Sequence, residues 1–136
     1  MDKYVVGFLF NEKHDWVLLI EKKRPKWQIG LLNGVGGHIE DGEPSYSAMV
    51  REFEEEAGVL NTNWSQFAIL RKDGEWQVDF YFSDNPVWDS IKQKTDEKLV
   101  PVEVAKLPDN TIYNLRWLIP LALDKDVVRP VIIEAS

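Results

Sequence analysis

An α+β domain is what the sequence predicts, and three observations predict it. Short apolar stretches joined by turn residues recur through both halves of the 136-residue chain, as strands and hairpins do. One amphipathic segment with clear start and stop signals, 44–57, reads as a helix, and a second apolar segment, 110–123, fits another. Their order is mixed, without the regular strand–helix alternation of a parallel α/β sheet.

Residues 5–10 and 16–21 read as strands joined by the polar segment Asn11 to Asp15, which has hairpin length and composition. Residues 22–27 hold Pro25 and the cations Lys22, Lys23, Arg24 and Lys26, a loop expected to feed a short strand over 28–32. Residues 64–71 and 77–83 predict a second hairpin, with Asp73-Gly74 as its turn. The polar stretch 84–98, containing Pro86, is long for a connection in a compact domain, and loops of that length tend to be functional. Residues 99–104 read as a strand. In the helix expected at 110–123, Ile112, Tyr113, Leu115, Ile119 and Leu123 form the apolar face.

With 44% apolar and 12% aromatic residues, no internal repeat and no linker, the chain is expected to form a single domain over 1–136. A net charge of −7 excludes a polyanion-binding surface, because affinity for nucleic acid polymers comes from Lys and Arg neutralising phosphates. A small anionic substrate remains compatible if metal ions neutralise it. The absence of cysteine removes disulfides, thiolate metal sites and thiol nucleophiles, and suits a reducing cytoplasm. The apolar run at 4–10 is too short for a signal core or a membrane span. A cytoplasmic protein without membrane contact is expected. The oligomeric state is left open, a homodimer included.

The helix at 44–57 is the most informative element. Pro44 suits its first turn and Gly58 its end. At about 100° per residue, Tyr46, Met49, Val50, Phe53 and Ala57 share an apolar face suited to a sheet. Ser47, Arg51 and Glu54 fall on a solvent or edge stripe. Glu52, Glu55 and Glu56 line a third face beside the small residues Ser45 and Ala48, with open space expected there and no cation among their i±4 neighbours. Like charges so placed repel, by a few tenths of a kcal/mol per pair. Oxygen-only ligands of this kind suit Mg²⁺ or Mn²⁺.

The spacing around these glutamates carries a family resemblance. Gly37, Glu43, Arg51-Glu52-Phe53, Glu55-Glu56 and Gly58-Val59 resemble, in their spacing, the signature of the Nudix (MutT-type) hydrolases. Nine specified positions coincide by chance with a probability on the order of 10⁻¹⁰ per window, so the pattern is specific. Phe53 departs from the family's usual Ile, Leu or Val, and its place on the apolar face makes this a packing change. The resemblance implies the Nudix fold, a mixed β-sheet sandwiched between α-helices. It also implies Mg²⁺-dependent hydrolysis of a nucleoside diphosphate linked to another group. By position, Glu52, Glu55 and Glu56 would hold metal with the carbonyl of Gly37. Arg51 would orient a neighbouring carboxylate, and Glu43 would brace the loop against the helix. A last carboxylate from a distant loop is expected at Glu97, with Asp96 second.

The substrate is less legible. Asn33-Gly34-Val35-Gly36-Gly37 partly resembles the base-contacting run of the family's oxidised-purine nucleoside triphosphatases, with Leu32 and Val35 departing from it. Asp109 and Asn110, ahead of the helix holding Trp117, resemble that branch's purine-reading segment, although Asn110 stands where Asp is expected. Trp27, among cations, could stack a base, while most of the six tryptophans are expected to be buried. His14 and His38 are read as incidental. The expectation is a pyrophosphohydrolase cleaving a nucleoside triphosphate, an oxidised or non-canonical one included, to monophosphate and pyrophosphate. The alternatives are hydrolysis of ADP-ribose, a nucleotide sugar or a dinucleotide, and a nucleotide-sensing module without turnover.

Overall fold

The computed structural model describes all residues, Met1–Ser136. The apolar stretches assemble into one eight-stranded mixed sheet: β1 (Asp2–Phe10), β2 (Trp16–Glu21), β3 (Leu32–Asn33), β4 (Val35–His38), β5 (Ser65–Lys72), β6 (Trp76–Ser83), β7 (Leu99–Glu103) and β8 (Val131–Glu134). Helices α1 (Ser45–Ala57) and α2 (Leu115–Leu123) cover its two faces.

The period of two in β1 and β2 assigns the faces. Phe8, Phe10, Val17 and Leu19 pack with Phe67, Phe80, Leu115, Leu118 and Ile119 under α2. Their neighbours Val5, Leu9, Leu18 and Ile20 pack with Met49, Phe53 and Trp64 under α1. Phe53 is fully buried and meets Trp64 edge-on at 5.2 Å between ring centroids. Burial of that size contributes about 1.5–3 kcal/mol, so the departure at position 53 is a packing choice that fills the sheet side of α1.

Strand β1 is the centre. It runs parallel to β6 from Asp2↔Trp76 to Leu9↔Ser83. Its other flank is divided: Tyr4 to Gly7 pair with β4, and only Leu9 and Phe10 pair with β2. The chain from β3 to β4 therefore leaves β2 at Asn33 and joins β1 at Val35, which delivers Gly37 to a position opposite Val5 beneath α1. Helix α1 ends at Gly58, whose φ of 71° is the left-handed cap that glycine adopts without a Cβ penalty. Its N–H bonds the Glu54 carbonyl at 2.9 Å, and the N–H groups of Lys92 and Lys94 take the carbonyls of Ala57 and Glu56.

Several expectations are corrected. Residues 28–32 do not form a strand: Lys26–Gln28 is a 3₁₀ turn, and pairing starts at Leu32. Strand β4 is too short and glycine-rich to show a pattern and exists because β1 offers it a free flank; β8 adds a parallel edge beside β5. Helix α2 begins at Leu115 rather than residue 110, since Pro108 to Asn114 are used in turns that pair Leu32 with Asn110 and Ile112. Tyr113 is consequently exposed, and Leu118 and Ala122 join the buried face. Tyr46 is also exposed, its hydroxyl donating to the Thr62 carbonyl. Of the tryptophans only Trp64 is buried, while Trp16, Trp27 and Trp117 are exposed. No helix is long and apolar enough to cross a membrane.

Candidate metal and nucleotide site

The polar face of α1 is graded. Glu52 is buried at 9% exposure, Glu56 is half-buried and Glu55 is exposed. The open space expected beside them is absent: Ala48 is fully buried in the core, and the Ser45 hydroxyl bonds Asp79 at 2.6 Å and the Tyr81 hydroxyl at 2.7 Å. Opposite Glu52 lies the backbone of Gly37. A Cβ at Gly37 would stand 2.6 Å from Glu52 Oε1, so a larger residue there would displace the carboxylate from the backbone it adjoins.

The expectation that no cation stands at i±4 from these glutamates is overturned by Arg51, which is i−4 to Glu55. Its Nη1 donates to Glu52 Oε1 at 2.9 Å and reaches Glu55 Oε1 at 3.3 Å. Nε and Nη2 grip Glu43 through both oxygens at 2.7 and 2.9 Å, and Nη2 also donates to the His38 carbonyl. Glu43 in turn accepts the Glu40 N–H. One guanidinium thus ties the 38–43 loop to the helix, using the planar fork that a lysine lacks. The Arg51 bonds hold the Glu43 carboxyl below the usual range. Burial pushes Glu52 upward despite Arg51, so desolvation outweighs the ion pair there.

Glu56 lies at the other end. Burial raises its pKa, opposed by a 2.8 Å bond from the Thr95 hydroxyl. Glu97 is buried at 3% exposure rather than solvated. Its carboxylate accepts Lys22 Nζ at 3.2 Å, the Lys23 N–H at 2.6 Å and the Arg24 N–H at 3.3 Å. Asp96 stays exposed and forms a two-bond pair with Arg24.

The structure brings Gly37, Arg51, Glu52 and Glu55 into one cluster and Glu56, Thr95, Glu97 and Lys22 into a second at the end of the same helix. As the side chains stand, no three acidic groups converge to hold one ion: Arg51 occupies Glu52 and Glu55, Thr95 holds Glu56, and Lys22 holds Glu97. The donors still fit a hard divalent cation in chemistry, being carboxylate oxygens beside a bare glycine backbone.

The residues expected to read a base lie off α1, on the Lys26–Gln28 turn, β3, the segment ahead of α2 and α2 itself. Asn33 donates from Nδ2 to Gln28 and accepts the Gly34 N–H, and Asn110 donates to the Gly30 carbonyl. Asp109 is exposed, as are Trp27 and Trp117. The Leu32 N–H donates to the Asn110 carbonyl and the Ile112 N–H to the Leu32 carbonyl, which joins the two segments. Thr95 and the Lys22–Glu97 pair were not legible in the sequence. Their partners lie 39 and 75 residues away, and no local spacing signals them.

The family model described as NUDIX domain matches residues 2–120. A curated relative, the uncharacterized Nudix hydrolase YvcI of Bacillus subtilis (strain 168), is 29% identical over 93 residues, 62% of this chain and 56% of the relative. The match thus spans little more than half the length of that relative. A MutT structure from work on Aliivibrio salmonicida and Vibrio cholerae superposes with a TM-score of 0.69 at 23% identity, covering 90% of this chain and 97% of that one. The MutT NUDIX hydrolase of Burkholderia pseudomallei gives 0.70 at 20% identity, with 88% and 96% covered. At such identities the superpositions establish the shared fold alone. The family model spans most of the chain and takes in the helix, its glycine loop and its arginine, and by that match the chain belongs to the NUDIX domain family.

Proposed function

We propose that the chain is a divalent-metal-dependent hydrolase that cleaves a phosphoanhydride of a nucleoside triphosphate, releasing monophosphate and pyrophosphate. The observation that supports this most is the meeting of Glu52 with the Gly37 backbone, with Glu55 and Glu56 on the same helix. Glu52, Glu55, Glu56 and the Gly37 carbonyl would hold Mg²⁺ or Mn²⁺, with Glu97 as the loop's contribution. The metal, when bound, polarises the phosphate and makes its water more acidic.

The chain's own groups divide the remaining work. Arg51 orients Glu52 through Nη1 and braces the loop through Glu43. Burial keeps Glu52 and Glu56 poorly solvated in the metal-free chain, so a divalent cation would relieve the cost of holding their charge on this face. Lys22, bound to Glu97, places a cation near Glu56 where an anionic substrate would approach. Asn33, Asp109 and Asn110 would meet the base, and exposed Trp27 and Trp117 offer stacking surfaces.

A second reading is hydrolysis of ADP-ribose, a nucleotide sugar or a dinucleotide, with which the family match is equally compatible. Product analysis on a substrate panel with Mg²⁺ separates the two: monophosphate plus pyrophosphate, or two monophosphate-bearing products. Binding without any product would establish a sensing module instead. Mg²⁺ at 100 times its Kd should also stabilise the fold by about 2.7 kcal/mol over EDTA, and equal melting temperatures would count against a metal on this face.

A further inference from the structure

We propose that Thr95 is a positioning residue for Glu56, aiming the helix carboxylate for cation binding while leaving its charge intact. Glu56 is half-buried, and no Lys or Arg forms an ion pair with it, unlike Glu52 with Arg51. Its one side-chain partner is the Thr95 hydroxyl, 2.8 Å from Oε2, which leaves Oε1 without a protein partner. That hydroxyl also accepts the Glu97 N–H at 3.3 Å. A hydroxyl has a single proton, so with a lone pair given to the amide its donor points to Glu56.

The chemistry of the donor matters. A guanidinium, as at Glu52, orients a carboxylate but offsets part of its charge. A neutral hydroxyl orients it and leaves the full charge available. The loop is fixed for this task on both sides of Thr95. Upstream, the Lys92 and Lys94 N–H groups cap the last carbonyls of α1. Downstream, Glu97 is locked by Lys22 and by the Lys23 and Arg24 amides. Thr95 therefore joins the helix glutamate to the loop glutamate in one rigid unit. Only its kinetic consequence rests on the hydrolase reading above; cation binding is measured without turnover.

The test is Mn²⁺ binding to the nucleotide-free protein by EPR, for wild type, Thr95→Val and Thr95→Ser, with melting curves in EDTA to fix the folded fraction. Loss of the hydroxyl should weaken Mn²⁺ binding about 10-fold, the effect of removing an outer hydrogen-bond partner, and serine should restore it to within about twofold. In turnover assays Thr95→Val should need more Mg²⁺ at an unchanged nucleotide KM. Where Thr95→Val does not fold, Thr95→Ala is measured in its place. Wild-type Mn²⁺ affinity in the folded valine or alanine variant would overturn the proposal, as would failure of serine to restore it. Wild-type protein that binds Mn²⁺ in a Thr95-dependent way yet hydrolyses no phosphoanhydride would sink the hydrolase reading and leave this one standing.

Discussion

The middle and the C-terminal end of α1's polar face are built in opposite ways. Along its middle, α1 has a full cation, Arg51, that gathers Glu43, Glu52, Glu55 and the His38 carbonyl, all within 13 residues of it in sequence. At the C-terminal end Glu56 is held by a neutral hydroxyl 39 residues away, and the neighbouring Glu97 by a lysine 75 residues away. The first arrangement offsets part of the negative charge and fixes a loop. The second leaves Glu56 its charge and fixes its direction.

This contrast predicts that the C-terminal end is the more sensitive in function and the middle in stability. Glu56→Gln should lower kcat by at least ~10²-fold with the melting temperature in EDTA unchanged or raised, because the amide is a poor ligand for a hard cation and removes a repelling charge. Unchanged turnover in the purified variant would remove Glu56 from the metal site. Arg51→Ala should instead destabilise the fold by about 2 kcal/mol in urea titrations. That is below the ~3–5 kcal/mol of a fully buried pair, because the Arg51 side chain keeps 25% exposure. A stability loss under ~0.5 kcal/mol would reduce this hub to a surface contact.

Smaller effects sharpen the comparison. Glu97→Ala should reduce kcat about tenfold and more than it raises KM, since it releases Lys22 and the loop amides together. Asp96→Ala breaks only an exposed pair with Arg24 and should do less. The reverse order in steady-state kinetics would move the role to Asp96. For Asn33, each amide atom keeps a second bonding position beyond its loop partner. Asn33→Ala should therefore cost ~1–3 kcal/mol in kcat/KM for a purine triphosphate and much less for a pyrimidine one. A uniform drop would assign Asn33 to shaping the loop that carries Gly37.

The same local-versus-distant divide decides what the sequence could reveal. Pro44, the apolar stripe and Gly58 act within one helix, and α1 is found within a residue of its predicted start. The hairpin turn at Asp73-Gly74 likewise rests on neighbours alone, with Glu75 N–H bonded to the Lys72 carbonyl. Strand β4 has no pattern of its own and is made a strand by β1, and residues 110–114 are drawn out of α2 by bonds to Leu32. In the site, the glutamate register was legible because helical period is local. Arg51 stands four residues before Glu55 and reaches it by that same local period. Burial of Glu97, with its grip on Lys22, depends on two loops meeting and has no local trace.

The position of β1 has a kinetic consequence. The first strand of the chain is the central one, and its whole register is set by β6, from Asp2↔Trp76 to Leu9↔Ser83. Its contact with the adjacent strand β2 is only two residue pairs, too little for an independent hairpin. Parallel pairing across such a separation requires a long loop closure before any contact rewards it, which slows folding and delays it until β6 is in place. The glutamate helix lies inside that loop. It emerges before the sheet that buries Phe53 is complete, and alone its 13 residues are at the margin of helical stability. Assembly of the acidic face is therefore a late event, timed by a strand that contributes no residue to it.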